Sequence, residues 1–181
     1  MHLSTAVSLL AANKTNRRTS LLCQNKEYKQ LLISECYYYY LFRDIFRKNG
    51  TVVDAAIAVL VCNGAVHSHS LGFGGGFFMT LFINGSSYFL NAREKAPSGA
   101  TKTMFVENSK GSTEGPLAIA IPAELKGYVE AKERFGNPDI SLLDLFQPTI
   151  DLCENGFKVT RSLERAINQF NSKTKFDQNI R

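Results

Sequence analysis

The pattern of apolar and polar positions predicts helices first, then a β-hairpin, then helices again. Residues 41–47 place apolar side chains at helical spacing. The next segment, 51–64, is apolar on all sides, begins with Thr51 and Asp54 as capping residues and is expected to end at Gly64. Its alanine-rich centre and its length favour a wholly buried helix over a buried strand.

The middle of the chain carries strand patterns. Residues 77–83 are a run of apolar and β-favouring side chains, an Asn-Gly pair follows, and residues 88–90 resume the strand. This arrangement predicts a hairpin with a tight turn. Residues 117–121 predict a third strand, which Pro122 ends.

Three helices are predicted after these strands. Ser141 begins the second of them with a capping pattern, Pro148 is expected to restart it as a first-turn residue, and Gly156 ends it. The last helix is predicted from about residue 162 to about residue 170. The first of these three helices is predicted over residues 123–135. Its apolar face is made by Leu125, Tyr128, Val129 and Phe135.

The order of elements predicts the α+β class with αββα layering, because strands and helices do not alternate as in a doubly wound sheet.

The composition, 44% hydrophobic and 20% charged over 181 residues, is globular and excludes a disordered, collagen-like or coiled-coil chain. The net charge of +5 is scattered, which favours a solvated surface over a nucleic-acid patch. Cys62 lies in an apolar run that predicts a buried thiol. The sequence contains no run of 18 apolar residues, and its start resembles a signal peptide only weakly.

Three local motifs have alternative interpretations. The glycine cluster 72–76 precedes a strand, whereas phosphate-binding loops lead into a helix, so tight backbone packing is favoured. His67 and His69 could share a metal ion, but a structural hydrogen bond to the backbone is favoured because no third ligand stands nearby. Arg93 follows a predicted strand, where it could bind a carboxylate or pair with Glu94, and the residues alone leave both open.

Taken together, several segments resemble the γ-glutamyltranspeptidases, also called glutathione hydrolases. The resemblance extends from about residue 43 to about residue 163 and departs from the family pattern at Asn49 and Ala123, where glycines are usual. The matching segments are V-D-A-A-I-A at 53–58, H-S-L-G-F-G-G-G-F at 69–77, N-A-R-E-K-A-P at 91–97, A-I-P-A-E-L-K-G-Y at 120–128, L-F-Q-P-T-I at 145–150 and E-N-G-F at 154–157.

This resemblance implies an αββα-layered N-terminal-nucleophile hydrolase fold, incomplete in this chain. Residues 1–35 are then a poorly defined N-terminal extension, and residues 36–181 are a partial large-subunit domain. The implied activity is cleavage of the γ-glutamyl bond of glutathione, with transfer to water, an amino acid or a peptide. The implied nucleophile is the N-terminal threonine of a small subunit made by self-cleavage, and no cofactor is implied.

The resemblance also implies roles for individual residues. Arg93 corresponds to the family arginine that binds the α-carboxylate of the glutamyl group. Gly74, Gly75, Gly76 and Glu94 are implied to be structural residues near the pocket. No catalytic residue and no metal ligand is assigned within these residues.

The expected partners are glutathione, other γ-glutamyl compounds and the small subunit of the same precursor, with no nucleic acid. The sequence has no threonine in the family's processing motif, so we expect a truncated chain that is inactive and poorly stable alone. The alternative is a non-enzymatic relative that binds γ-glutamyl compounds or a protein partner, and whether the chain is an enzyme stays open. The resemblance implies an extracellular or plasma-membrane location, although the signal or anchor in this sequence is weak.

Overall fold

A computed structural model describes residues 33–173 of the chain. Residues 1–32, which make up most of the predicted extension 1–35 and carry the weak signal-peptide pattern, lie outside the described residues. The predicted domain boundary at residue 36 stays a prediction. Two 3₁₀ turns, Ser109–Ser112 and Pro116–Ala118, lie in the long connection after the hairpin. The other elements, in chain order, are α1 (Ile33–Arg47), α2 (Val52–Val66), β1 (Phe77–Ile83), β2 (Ser86–Ala92), α3 (Glu124–Phe135), α4 (Leu142–Asn155) and α5 (Arg161–Lys173).

Helix α2 forms the centre of the fold. Its predicted capping is confirmed, because the Asp54 amide donates to the Thr51 hydroxyl and the Asp54 carboxylate accepts from the Thr51 amide. Nine of its fifteen residues are buried and none is exposed, so the prediction of a wholly buried helix is confirmed in part. The predicted end at Gly64 is wrong, since the helix continues to Val66. Gly64 keeps helical backbone where α2 packs near Gly72, and this packing overrides the local helix-ending tendency of glycine.

Strands β1 and β2 form the predicted antiparallel hairpin, in a register from Phe77 opposite Ala92 to Ile83 opposite Ser86. The backbone φ angles are 51° at Asn84 and 79° at Gly85, the conformation that a two-residue turn between strands requires. One face of the hairpin packs into the core. The other face is uncovered by any described residue, and its large side chains are Phe78, Phe82 and Phe89.

The predicted third strand is wrong. Residues 117–121 begin in a 3₁₀ turn, and only Ile121 pairs, through an isolated antiparallel bridge to Lys95. Gly115, with a φ of 81°, and Pro116 turn the chain there, and no described strand lies alongside to continue the pairing. The alternating apolar side chains therefore stay exposed, at 59% for Leu117, 67% for Ile119 and 52% for Ile121.

The apolar core lies between α1, α2, the inner face of the hairpin, α3 and α4. Its largest members include Ile45, Ile57, Met79, Tyr128 and Leu145. A smaller apolar cluster, here called the second cluster, joins α1, α2 and α4. It consists of Leu41, Cys62 and Val66, with Tyr38, Val59, Leu152 and Phe157 packed against it.

Helix α3 buries only part of the face predicted. Tyr128 is fully buried and Phe135 packs against the core, but Leu125 and Val129 are 45% and 37% exposed. The helix instead turns Gly127 towards the hairpin, where a Cβ atom on Gly127 would lie 2.4 Å from the Cβ of Ala92. This close approach of backbone to strand determines which side of α3 faces the core.

Helix α4 begins at the predicted Ser141 cap and ends at Gly156, whose φ is 81°. The predicted restart at Pro148 is wrong, because the helix is continuous through it. Proline removes one backbone hydrogen bond, but Leu145 and Thr149 on either side are buried and hold the helix in place. Among the described helices, none is both long and apolar enough to cross a bilayer.

Candidate functional site

The segment that leaves β2 carries the two charged candidates, Arg93 and Glu94. It lies beside the glycine turn that enters β1, because Phe77 pairs with Ala92. The bridge between Lys95 and Ile121 brings the start of α3 to the same place. Three chain segments therefore meet at the end of β2.

Gly76 is the point of closest contact between these segments. A Cβ atom there would lie 2.2 Å from the Ala92 carbonyl oxygen, 2.8 Å from the Glu94 amide nitrogen and 2.9 Å from the Arg93 Cα atom. No side chain fits at such distances, so the predicted tight backbone packing is found at this glycine. The backbone of the candidate site rests directly on Gly76.

The other two candidate glycines have different surroundings. The Gly75 carbonyl accepts hydrogen bonds from the amides of Ala123 at 3.0 Å and Glu124 at 3.2 Å, which joins the turn to the start of α3. A Cβ atom on Gly74 would meet nothing within 4 Å. Only Gly76 of the three is required by packing in the described part of the chain.

Arg93 is supported from several sides. Its amide donates to Asn91 Oδ1 at 3.1 Å, its Nη2 donates to Glu94 Oε1 at 2.5 Å, and its guanidinium carbon lies 5.7 Å from the centre of the Phe78 ring. The side chain is about one-third exposed, at 32%. Its Nε and Nη1 atoms have no hydrogen-bond partner among the backbone and side-chain groups that the structure describes. The guanidinium is held in place and still presents free donors.

The pairing of Arg93 with Glu94 is one of the two alternatives that the sequence left open. The second carboxylate oxygen of Glu94 is buried and has no hydrogen-bond partner in the described residues. A guanidinium has five N–H donors, and Glu94 occupies one of them. The ion pair is therefore compatible with a second carboxylate bound to Arg93, and that role stays a prediction.

A buried acid lies close to the glycine turn, and the sequence analysis did not identify it. Tyr128 donates to Glu124 Oε1 at 2.5 Å, and both side chains are buried. Burial raises the pKa of Glu124, and the Tyr128 hydroxyl lowers it in part. Burial and the neighbouring carboxylate both raise the pKa of Tyr128. Their i,i+4 spacing was visible in the sequence, but their burial was not.

The two histidines take part in separate structural contacts. His67 Nδ1 lies 2.8 Å from Asn63 Oδ1 and 3.2 Å from the Tyr38 hydroxyl, and His69 Nε2 lies 3.0 Å from Ser162 Oγ. The ring contacts are to side chains, so the predicted bond to the backbone is wrong. Burial lowers the pKa of His67, and neighbouring His69 adds to this effect. Among the side chains that the structure describes, no three His, Cys, Asp or Glu residues group closely enough to hold a metal ion.

An open aromatic face adjoins the site. Phe78 stacks on Phe89 across the hairpin at 5.7 Å between ring centres, and Phe82 is 75% exposed. Phe78 also borders the guanidinium of Arg93. The candidate site therefore lies at the rim of an uncovered apolar sheet face.

Comparison with known proteins finds similar sequences and a similar fold. Residues 41–180 match the family model described as Gamma-glutamyltranspeptidase. The chain is 44% identical over 124 residues to glutathione hydrolase proenzyme 1 of Schizosaccharomyces pombe, a match that covers 68% of this chain and 19% of that protein. It is 42% identical over 129 residues to Scoloptoxin SSD14 of Scolopendra dehaani, a match that covers 70% of this chain and 22% of that protein. The chain thus spans about a fifth of the length of these curated relatives.

The fold is similar to that of a solved structure. The gamma-glutamyltranspeptidase of Pseudomonas nitroreducens aligns with a TM-score of 0.68 at 36% identity, over 77% of this chain and 44% of that chain. This similarity confirms the predicted N-terminal-nucleophile hydrolase fold class. The described residues form part of that fold, with helices packed on one face of a two-stranded sheet.

Proposed function

The chain belongs to the γ-glutamyltranspeptidase family, and we propose that it supplies the part of a γ-glutamyl site that binds the substrate's α-carboxylate. The substrates are glutathione and other γ-glutamyl compounds, and the reaction is transfer of the γ-glutamyl group to water or to an amine. The supported guanidinium of Arg93, with its free donors, is the observation that carries this proposal. The similarity to a protein named glutathione hydrolase proenzyme supports the substrate class.

The surroundings of Arg93 suit the recognition of a carboxylate. A guanidinium binds a carboxylate through two parallel N–H donors, and four donors remain after the bond to Glu94. Glu94 and Phe78 restrict the rotation of the side chain, so less conformational entropy is lost when a ligand binds. Glu94 also offsets part of the positive charge, so the fit of the two donors contributes more to specificity than bulk charge does.

The nucleophile of the reaction is proposed to come from a small subunit of the same precursor. The chain spans about a fifth of its curated relatives, and it leaves an apolar sheet face uncovered in the described residues. Exposed apolar area of this kind is typical of a protein interface. We propose that the small subunit covers Phe78, Phe82 and Phe89. The 181 residues alone then bind the substrate without turning it over. The protein is proposed to act outside the cell or at its surface.

The test is the affinity of the purified 181-residue chain for glutathione, measured by calorimetry alongside an assay for γ-glutamyl transfer. Arg93→Ala should weaken binding about 10- to 100-fold, because hydrogen bonds to charged groups contribute about 1.5–3 kcal/mol. Arg134→Ala is the matched control, since Arg134 pairs with Glu130 on the surface of α3. Amidation of the α-carboxylate on the glutamyl residue of glutathione should weaken binding to the parent chain as much as Arg93→Ala weakens the binding of unmodified glutathione.

Two outcomes contradict the proposal. Equal glutathione affinity in the parent and Arg93→Ala chains would remove Arg93 from the site. Transfer activity in the purified parent chain would show that these residues contain a complete catalytic centre.

A second candidate function is that of a non-enzymatic relative that binds γ-glutamyl compounds or a protein partner. The observation in its favour is the exposed aromatic face made by Phe78, Phe82 and Phe89, which suits a protein partner. Sequencing the native transcript beyond the codon for Arg181 distinguishes the two functions. A frame that continues into a threonine-containing small subunit supports the enzyme, and a stop codon supports the non-enzymatic relative.

A further inference from the structure

Helices α2 and α4 each bring a cysteine to the border of the second cluster, away from Arg93. Cys62 on α2 is fully buried, Cys153 on α4 is exposed, and both thiols are free. Leu152, the residue before Cys153, packs against the cluster that contains Cys62. The two cysteines therefore lie on helices that are in direct contact.

The spacing on α4 places Cys153 on the same side of the helix as Thr149, which is a neighbour of Cys62. Buried Thr149 lies next to the Cys62 thiol, and Thr149, Leu152 and Cys153 stand at positions i, i+3 and i+4, which share one face of a helix. Packed helices have axes about 8–10 Å apart and Cα radii of about 2.3 Å, so Cα atoms that face each other directly lie about 3.4–5.4 Å apart, which overlaps the range of about 4.4–6.8 Å that a disulfide needs. The Cys153 thiol lies near enough to add to the raised pKa of Cys62, so the seam between α2 and α4 brings the two side chains close together.

We propose that Cys62 and Cys153 form a redox pair that closes to an intramolecular disulfide when the chain meets a small-molecule disulfide. The Cys153 thiolate attacks the small disulfide, forms a mixed disulfide and releases one thiolate. The Cys62 thiolate then attacks the sulfur of Cys153 and releases the second. Two protein thiols are oxidised, the small disulfide is reduced to two thiols, and the two protons pass through solvent to the leaving thiolates.

The order of the two steps follows from the surroundings of each thiol. Cys153 is exposed and can meet a reagent, whereas Cys62 is fully buried and does not meet it directly. Burial raises the pKa of Cys62 to about 12, so its thiolate is scarce near neutral pH. Closure is therefore the slow step, and its rate should rise with pH.

Closure has a consequence for stability. The link would join α2 to α4 around the hairpin and α3, and a loop of this length restricts the unfolded chain strongly. The oxidised chain should therefore melt at a higher temperature than the reduced chain.

The test uses the full chain with Cys23→Ser and Cys36→Ser, because those two side chains lie outside the described part of the structure. The folded protein is treated with glutathione disulfide, digested without reduction and analysed by mass spectrometry. We expect a peptide pair joined through Cys62 and Cys153, and a Tm raised by about 5–15 °C that a reductant reverses. The rate of closure should rise about tenfold per pH unit.

Two variants of this parent identify the step. Cys62→Ala should stop at one glutathione on Cys153, and Cys153→Ser should leave Cys62 unmodified in the folded state. A parent chain that keeps glutathione on Cys153 beside a free Cys62, or that forms only dimers through Cys153, would overturn the proposal. Modification of Cys62 in Cys153→Ser as fast as in the parent would also overturn it. The parent chain and Cys153→Ser both retain Cys62, so the results on these two chains decide the proposal even if Cys62→Ala does not fold.

Discussion

Replacing Gly76 with alanine adds one methyl group where β1 passes behind the candidate site. The new Cβ atom would lie 2.2 Å from the Ala92 carbonyl oxygen, about 1.2 Å short of the 3.4 Å at which ordinary contact begins. It would also lie 2.8 Å from the Glu94 amide nitrogen and 2.9 Å from the Arg93 Cα atom. All three are backbone atoms, so no side-chain rotation relieves the contact.

The expected cost follows from this geometry. Overpacking in a well-packed interior costs about 1–3 kcal/mol, and a clash with backbone belongs in the upper part of that range. We expect Gly76→Ala to lower the free energy of unfolding by about 2–3 kcal/mol, or about 30- to 150-fold in the folding equilibrium. Any chain that still folds must move Arg93 by a sizeable part of the overlap, so its affinity for glutathione should fall as well.

Gly74→Ala is the matched control in the same turn. A Cβ atom on Gly74 meets nothing within 4 Å, and its φ is not positive, so its effect should stay within about 0.5 kcal/mol. Equilibrium unfolding in urea compares the two variants with the parent, provided that the m-values agree. Equal midpoints for Gly76→Ala and Gly74→Ala would refute the close-packing argument.

Three further predictions concern the support of the fold. Asp54→Ala should lower the free energy of unfolding by about 3–5 kcal/mol, because it removes three hydrogen bonds and leaves Lys132 without its buried partner. Replacement of the exposed Asp44 with alanine is the control in the same urea experiment. An equal loss of stability in the two variants would contradict the prediction. Burial raises the pKa of Glu124 in the folded chain, so its contribution to stability is present below the unfolded pKa and is lost as pH rises through the folded value. Glu124→Gln should flatten this pH dependence in thermal melts at a series of pH values, and an unchanged slope would assign it to another group. Ser141→Ala should cost about 1 kcal/mol through loss of the α4 cap, with Ser141→Thr close to the parent, and no loss in the alanine variant would show that the cap is dispensable.

Features that depend on neighbouring residues were predictable from the sequence. The caps at Thr51 and Ser141 join residues three positions apart. The hairpin turn at Asn84 and Gly85 depends on the left-handed backbone that these residue types tolerate. In each case the atoms that interact are close in sequence, so the pattern contains the physical cause.

Features that depend on distant partners were predicted wrongly. Residues 117–121 have a strand pattern, but Lys95 is the only described residue that pairs with them. Pro148 was expected to begin a helix, but the buried residues beside it keep α4 continuous. Leu125 and Val129 were predicted to share the apolar face of α3 with Tyr128, but the close approach of Gly127 to β2 turns them outwards.

The candidate site shows the same division. Arg93 was identified through the family resemblance, and its pairing with Glu94 was one alternative that adjacent residues suggested. The contact with Phe78 and the dependence on Gly76 became visible only in the structure. Glu124 and Tyr128 had the spacing of a helical pair, but nothing in the pattern indicated a buried carboxyl group.

The sequence by itself determined the family, the main helices, the hairpin and the identity of the charged candidate. The tertiary structure alone decided which faces are buried, where the hairpin is left open and what holds Arg93 in place. Asp54 illustrates the reason, because its carboxylate caps α2 at Thr51 and also accepts from the amide of Asn137, 83 positions away. The first bond follows from local spacing, and the second exists only because the folded chain brings two distant segments together and removes water from between them.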